Sequence, residues 1–159
     1  MRVRLATPQE YAAIGDITAA AYADFTLGPD DPYLEKLRGA GARAAQAELW
    51  VAEDGGQLLG SVTRCPHGSP WREIGTEDEG EFRMLAVAPT AQGRGVGVVL
   101  VQHCLDRSRE DGDRAMVLSS LPRMAAAHRL YERFGFLRVP ERDWSPAPGV
   151  ELVAFRFAY

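Results

Sequence analysis

The sequence is poor in cysteine and almost without lysine. Cys65 and Cys104 are the only two thiols in 159 residues, far apart and with no partner at metal-ligand spacing. That excludes a disulfide framework and a cysteine-built metal site, and it leaves two small residues expected in the core. No apolar run reaches the ~18 residues needed to cross a bilayer. Met1–Thr7 alternates Arg2 and Arg4 with Val3 and Leu5, the pattern of a strand rather than a signal peptide. A cytoplasmic protein with no membrane partner is therefore the expectation. Of 18 basic residues only Lys36 is a lysine, and 22 acidic residues bring the net charge to −4. With no basic stripe, nucleic acid is excluded as the main partner. The chain also lacks repeats, low-complexity tracts and any Pro/Gly-rich divider, so residues 1–159 read as a single domain.

What is present alternates strands with helices. Arg2–Ala6 reads as a strand, and Thr7 caps a helix that Pro8 opens and that runs to about Ala23. A second helical region between Pro32 and Ala47 breaks near Gly39–Gly41. Asp54-Gly55-Gly56 tolerates positive φ and marks a hairpin between strands Glu48–Ala52 and Leu58–Cys65. Pro66–Gly80 is a long polar loop carrying Trp71. Glu81–Val87 is apolar on both faces, as a central strand is. Val98, Val101 and Leu105 give a helix over Gly95–Asp111, and Arg114–Ser119 is a further strand. Met124, Ala127, Tyr131 and Phe134 share one face of a helix closed by Gly135. Strands at Phe136–Val139 and Val150–Phe157, joined by the loop Pro140–Gly149, complete an α/β domain with a mixed sheet.

The segment with the clearest chemistry is Glu81–Gly97, where a buried strand runs into Gln92-Gly93-Arg94-Gly95-Val96-Gly97 and then a helix. A helix start presents free backbone N–H groups and the positive end of the helix dipole, so this is an anion site. Gly93, Gly95 and Gly97 let a phosphate approach the backbone, and Arg94 or Gln92 can add a side-chain donor. The dinucleotide fingerprint G-x-G-x-x-G fails at Val98, and no G-K-[ST] of a nucleotide P-loop occurs. Taken alone, the three glycines also fit a tight turn that serves only packing.

The surroundings narrow the choice. Gln92–Gly97, following the strand end Leu85-Ala86-Val87-Ala88-Pro89, resembles the acetyl-CoA-binding motif of the GNAT acetyltransferase superfamily. Ala127-His128-Arg129-Leu130-Tyr131-Glu132-Arg133-Phe134-Gly135-Phe136 is similar to the later helix and strand of that family. The two blocks stand in the family's order and cover roughly Glu81–Phe136. The resemblance implies a GNAT-like fold, with a central mixed sheet of about six to seven strands flanked by about four helices. It also implies acetyl-CoA as co-substrate, with no metal.

In the family, the pantetheine arm lies between two diverging strands, matched here by Glu81–Val87 and Arg114–Ser119. It bonds to backbone around Leu85, Ala86 and Val87, and the pyrophosphate rests on Gln92–Gly97. The amine attacks directly, which calls for a base and an acid. Tyr131 matches the acid that donates to the sulfur, and Ala127 shares its face. Glu81, on the strand lining the cleft, is the leading candidate for the base. One position departs from the family: Met124 stands where an Asn often contacts the cofactor arm. A thioether cannot make that hydrogen bond, and Ser119 or Ser120 is the substitute.

The weaker candidates each have a structural alternative. His128 is either a proton relay or a solvated helix residue. His67, Asp143, Trp71 and Trp144 either frame the acceptor pocket or anchor their loops, and Glu77-Asp78-Glu79 either attracts an amine or faces water. The implied function is N-acetylation of a primary amine on a small molecule. The alternatives are a protein N-terminus or another acyl donor, or a non-catalytic acyl-CoA-binding sensor. A homodimer stays open.

Overall fold

The computed structural model describes residues 1–159. Eight strands and five α-helices alternate along the chain. The strands are β1 (Arg2–Leu5), β2 (Glu48–Asp54), β3 (Gln57–Cys65), β4 (Glu79–Val87), β5 (Ala115–Ser120), β6 (Leu137–Arg138), β7 (Trp144–Ala147) and β8 (Val150–Ala158). The helices are α1 (Tyr11–Tyr22), α2 (Tyr33–Arg38), α3 (Ala40–Gln46), α4 (Val96–Glu110) and α5 (Ala125–Phe134). The sheet order is β1-β2-β3-β4-β5-β8-β6, with β7 paired to β8. Every pairing is antiparallel except β4 with β5, which α4 connects as a crossover helix. No helix is long and apolar enough to cross a membrane.

The sheet buries both faces. On one face Leu100, Val101, Cys104 and Leu105 of α4 and Tyr131 of α5 pack on Phe82, Met116, Leu118 and Phe155. On the other, Ile14 and Ala40 from α1 and α3 pack on Leu49 and Val51. Cys65 and Cys104 are free and buried, and burial pushes the Cys65 thiol up to about 12. Both thiols are core residues, as expected of two isolated cysteines.

Several boundaries differ from the sequence reading. The helix behind Pro8 begins as a 3₁₀ turn over Pro8–Glu10, where Glu10 accepts the Thr7 N–H at 2.8 Å. The second helical region does divide where the sequence breaks it, at Gly39, into α2 and α3. The loop Pro140–Gly149 is not wholly irregular, because Trp144–Ala147 forms a hairpin strand on β8. Proline at 146 and the polar composition hide that short edge strand from periodicity.

The run Glu77-Asp78-Glu79 divides too, for Glu79 opens β4 and is buried. Its oxygens lie 2.8 Å from Arg142 Nη2 and Arg156 Nε, and these guanidiniums hold its carboxyl down to about 2 although burial opposes them. Glu79 therefore ties β4 to the Pro140 loop and β8 and does not face water.

Candidate active site

Two features of β4 open a gap in the middle of the sheet. Its pairing with β5 runs only through Glu79↔Ala115, Gly80↔Met116 and Glu81↔Val117. Beyond Glu81 the two strands diverge, while β5 continues alongside β8 to Ser120. On the other edge, the pairing with β3 slips by one residue between Ser61↔Ala86 and Thr63↔Arg83. Met84 sits in that bulge with φ 52°, the only non-glycine residue at positive φ. Such a conformation costs about 1–3 kcal/mol, and a bulge re-aims the strand that carries it. Leu85, Ala86 and Val87, the expected backbone partners of the pantetheine arm, lie on the segment turned away from β5.

The turn after β4 delivers the glycine loop to the end of this gap. Gly93 and Gly95 adopt φ 77° and 78°, and a Cβ at either would meet no protein atom. That fits an anion cradle, since the backbone there is strained for any other residue and open to a ligand. Gly95 is the cap of α4, so the N–H groups of Val96, Gly97 and Val98 have no partner within the helix. Gln92 and Arg94 are exposed, and Arg94 lies 3.5 Å from Asp54. Gly97 has a different task from the other two: a Cβ there would come within 2.9 Å of Leu130 Cδ2. It makes room for α5 against α4.

Tyr131 lies on the α5 face that meets the sheet, 5% exposed. Its ring packs on Phe82, Phe136 and Phe155 with centroids 5.7–6.0 Å away, pairs worth about 0.5–1.5 kcal/mol each beyond their burial. Burial raises its hydroxyl above the ordinary phenol value, so it stays protonated at neutral pH. Ala127 and Met124 are half-buried on the same helix, Met124 as its cap residue.

Strand alternation sorts the remaining candidates onto two faces. Met116, Leu118 and Phe82 belong to the core under α4 and α5. Ser120 shares that face, and its hydroxyl lies 3.0 Å from His128 Nε2. Desolvation lowers the His128 pKa below its ordinary value, so at neutral pH the ring is an uncharged partner of Ser120 rather than a solvated cation. Ser119 points the other way and accepts a hydrogen bond from Trp144 Nε1 at 3.0 Å. Of the two expected substitutes for the family's Asn, only Ser120 presents its hydroxyl on the α5 side.

Glu81 and Arg83 occupy the face opposite Phe82, toward α1. Glu81 is fully buried, and its carboxylate accepts the backbone N–H groups of Glu73, Ile74 and Gly75 at 2.9, 3.3 and 2.9 Å. Glu81, the candidate base, is thus engaged with the loop before β4. A carboxylate whose oxygens are already bonded to three donors holds the loop 66–78 on the sheet and has little left for a substrate proton. The same loop is gripped by Arg72, which donates to the carbonyls of Cys65, Thr76 and Glu79. Trp71 lies under Arg83, whose Cζ is 5.6 Å from the ring centroid. His67 Nε2 lies 2.7 Å from Asp113 Oδ1, and Asp143 is paired with Arg138 at 2.8 Å, so both serve as loop anchors.

Two residues of this face were not singled out in the sequence: Glu73 and Arg83, with Glu73 Oε1 2.8 Å from Arg83 Nε. They are ten positions apart on a loop and a strand, and no local pattern joins them. Two hollows, of about 440 and 380 Å³, include neither the glycine loop nor α5.

Residues 13–136 match the model of the acetyltransferase (GNAT) family. A mycothiol acetyltransferase of Cellulomonas flavigena is 33% identical over 143 residues, covering 77% of this chain and 40% of its own. The chain thus spans well under two thirds of that curated relative's length. Among solved structures, a GNAT family acetyltransferase from Brucella melitensis in complex with acetyl-CoA is 26% identical with a TM-score of 0.66, covering 99% of this chain and 87% of its own. A GCN5-related N-acetyltransferase from Kribbella flavida is also 26% identical, with a TM-score of 0.71 and coverage of 99% and 97%. A diverging strand pair ending in a glycine-capped helix, matched by family model and by fold, places this chain in the GNAT acetyltransferase family.

Proposed function

We propose that the chain transfers an acetyl group from acetyl-CoA directly to a primary amine of a small molecule. The observation that carries this reading is the gap between β4 and β5, closed at one end by the open N–H groups of Val96, Gly97 and Val98. Those groups, with Gly93 and Gly95, would hold the pyrophosphate. The backbone of Leu85 and Val87, beyond the pairing with β5, would hold the arm. Acetyl-CoA supplies an activated thioester; the protein supplies donors, exclusion of water and proton transfers. Main-chain N–H groups on the diverging part of β4 are suited to stabilise charge on the thioester oxygen.

On the far side of the sheet the loop 66–78 is pinned by Glu81 and Arg72, and Trp144 reaches across to Ser119. Elements pinned on both sides of β4 and β5 suit a small acceptor better than an extended protein segment. Tyr131 is the group we assign to the departing sulfur. The relative named as a mycothiol acetyltransferase and the neighbour solved with acetyl-CoA support the same reading.

Acetyl-CoA is expected to bind and to release free thiol only when an amine is present. Titration calorimetry with acetyl-CoA, followed by mass-spectrometric screening of an amine library, tests this. Binding without transfer to any amine would make the chain a sensor module, and acetylation confined to peptide N-termini would move the acceptor class.

A further inference from the structure

Three carboxylates lie along the α1-facing side of β4, and their oxygens are differently occupied. Glu79 is held by Arg142, Arg156 and the Thr76 N–H. Glu81 gives both oxygens to the N–H groups of Glu73, Ile74 and Gly75. Glu73 has one ionic partner, Arg83, whose Nε lies 2.8 Å from Oε1, and its side chain keeps 15% exposure. Arg83 is the first residue on this face beyond Glu81, where β4 leaves β5. Its guanidinium therefore ties the Glu73 carboxylate to the part of β4 that has left β5.

We propose that Glu73 is the base that takes the proton of the incoming amine, with Arg83 and Glu81 as positioning residues. The assignment rests on the acetyl-transfer reading above. Glu81 fixes the backbone of Glu73 itself, and Arg142 Nη2 donates to the next carbonyl, Ile74 O, at 2.5 Å. Arg83 is braced in turn by a bond from Nη1 to Trp71 O at 3.1 Å. The loop thus presents one carboxylate, with Oε2 unpaired, at a fixed place.

The protons balance as follows. Glu73 takes one proton from the ammonium before attack. The nitrogen attacks the thioester carbonyl, the C–N bond forms, and the electron pair of the C–S bond goes to sulfur. The proton the nitrogen sheds after the C–N bond forms goes to water. The sulfur leaves as a thiolate hydrogen-bonded by Tyr131 and takes its proton from water. Glu73 then returns its proton to water.

The charges around Glu73 suit a base. Burial raises its carboxyl above the ordinary value, against the opposing pull of Arg83, and Glu81 adds to the rise while Lys36 opposes it. Tyr33 and Cys65 also face it, and both are kept protonated at neutral pH by burial. A carboxylate whose pKa is raised accepts a proton more readily.

The test compares wild type with Glu73→Gln in two arms. In the first, thiol release from acetyl-CoA is followed from pH 6 to 9 with phenethylamine, putrescine or Ala-Ala amide, whichever reacts fastest. Hydroxylamine, a small nucleophile unprotonated at neutral pH, runs alongside. Glu73→Gln should lower kcat with the amine on the order of 10²-fold and remove the acid limb of the profile, while the hydroxylamine rate stays within a factor of a few. Equal amine rates and profiles for the two proteins overturn the proposal. Absence of enzyme-dependent thiol release with hydroxylamine in wild type, above the uncatalysed reaction of hydroxylamine with the thioester, overturns the acetyl-transfer reading, and the proposal with it.

The second arm needs no turnover. Carboxyl ¹³C NMR of the protein without acetyl-CoA should show a resonance, missing in Glu73→Gln, that titrates above the ~4.3 of a free glutamate. Arg83→Met should move it higher still. A resonance at or below the free value overturns the assignment, and this arm decides if no amine of the three reacts.

Discussion

Tyr131 is surrounded by Phe82, Phe136 and Phe155, and the same burial that packs its ring raises its hydroxyl pKa. A leaving thiol has a pKa of ~8.5. Full proton transfer from a phenol raised above 10 is then uphill, and the hydroxyl acts chiefly as a hydrogen-bond donor to charge developing on sulfur. Tyr131→Phe keeps the ring and deletes that donor. We expect kcat to fall on the order of 10²-fold across pH 6–9, with melting temperature and acetyl-CoA affinity nearly unchanged. Single-turnover transfer with a saturating amine measures it, and equal rates would leave Tyr131 a packing residue. Glu81 predicts a loss of stability as well. Replacing it with Gln removes an acceptor for buried N–H groups, at a cost of about 1–3 kcal/mol. Urea denaturation should show that loss, and hydrogen exchange at Ile74 and Gly75 should accelerate with it.

Among the elements, the N-terminal turn of α4 matters most, because its free N–H groups exist only where the helix begins. Gly95 caps that turn at φ 78°, where any side chain adds about 1–2 kcal/mol of strain. Gly95→Glu adds charge as well as strain, while Gly95→Ala adds strain alone. Affinity for acetyl-CoA should drop about 10²-fold or more in the glutamate variant, the equivalent of losing one or two charge-assisted hydrogen bonds, and far less in the alanine variant. Calorimetry on both proteins separates the two causes, and equal affinities for all three proteins would remove the pyrophosphate from this turn. The position of the loop was legible from the glycine spacing and from the Leu85–Val87 strand end. The bulge at Met84 was not, since nothing in the local sequence marks a methionine for positive φ.

Across the whole molecule, Glu79 joins elements far apart in the chain: the start of β4, Arg142 in the loop after β6, and Arg156 in β8. Its folded pKa lies below its unfolded value, at about 2 against 4.5. The stability it contributes is therefore complete above pH ~4.5 and is lost as pH falls toward 2. Glu79→Gln should cost about 2 kcal/mol at pH 7, because it leaves two partly exposed guanidiniums without a counter-charge. The difference from wild type should shrink below pH 4. Urea melts at pH 7 and pH 3 check both statements, and a constant difference would place the stabilisation in packing alone.

The sequence by itself determined the α/β class, the order of most elements, the glycine loop at a helix start and the inward face of Tyr131. Each of these is a local property, set by periodicity, capping and backbone freedom within a dozen residues. Only the tertiary structure decided what the carboxylates do. Glu79, Glu81 and Glu73 look alike along the chain as acidic residues beside one strand. Their tasks follow from which guanidinium or N–H group the fold brings to each, from as far away as Arg142 and Arg156. The same holds for Ser119 and Ser120, neighbours in β5 that the pleat turns to opposite faces, one toward Trp144 and the other toward His128.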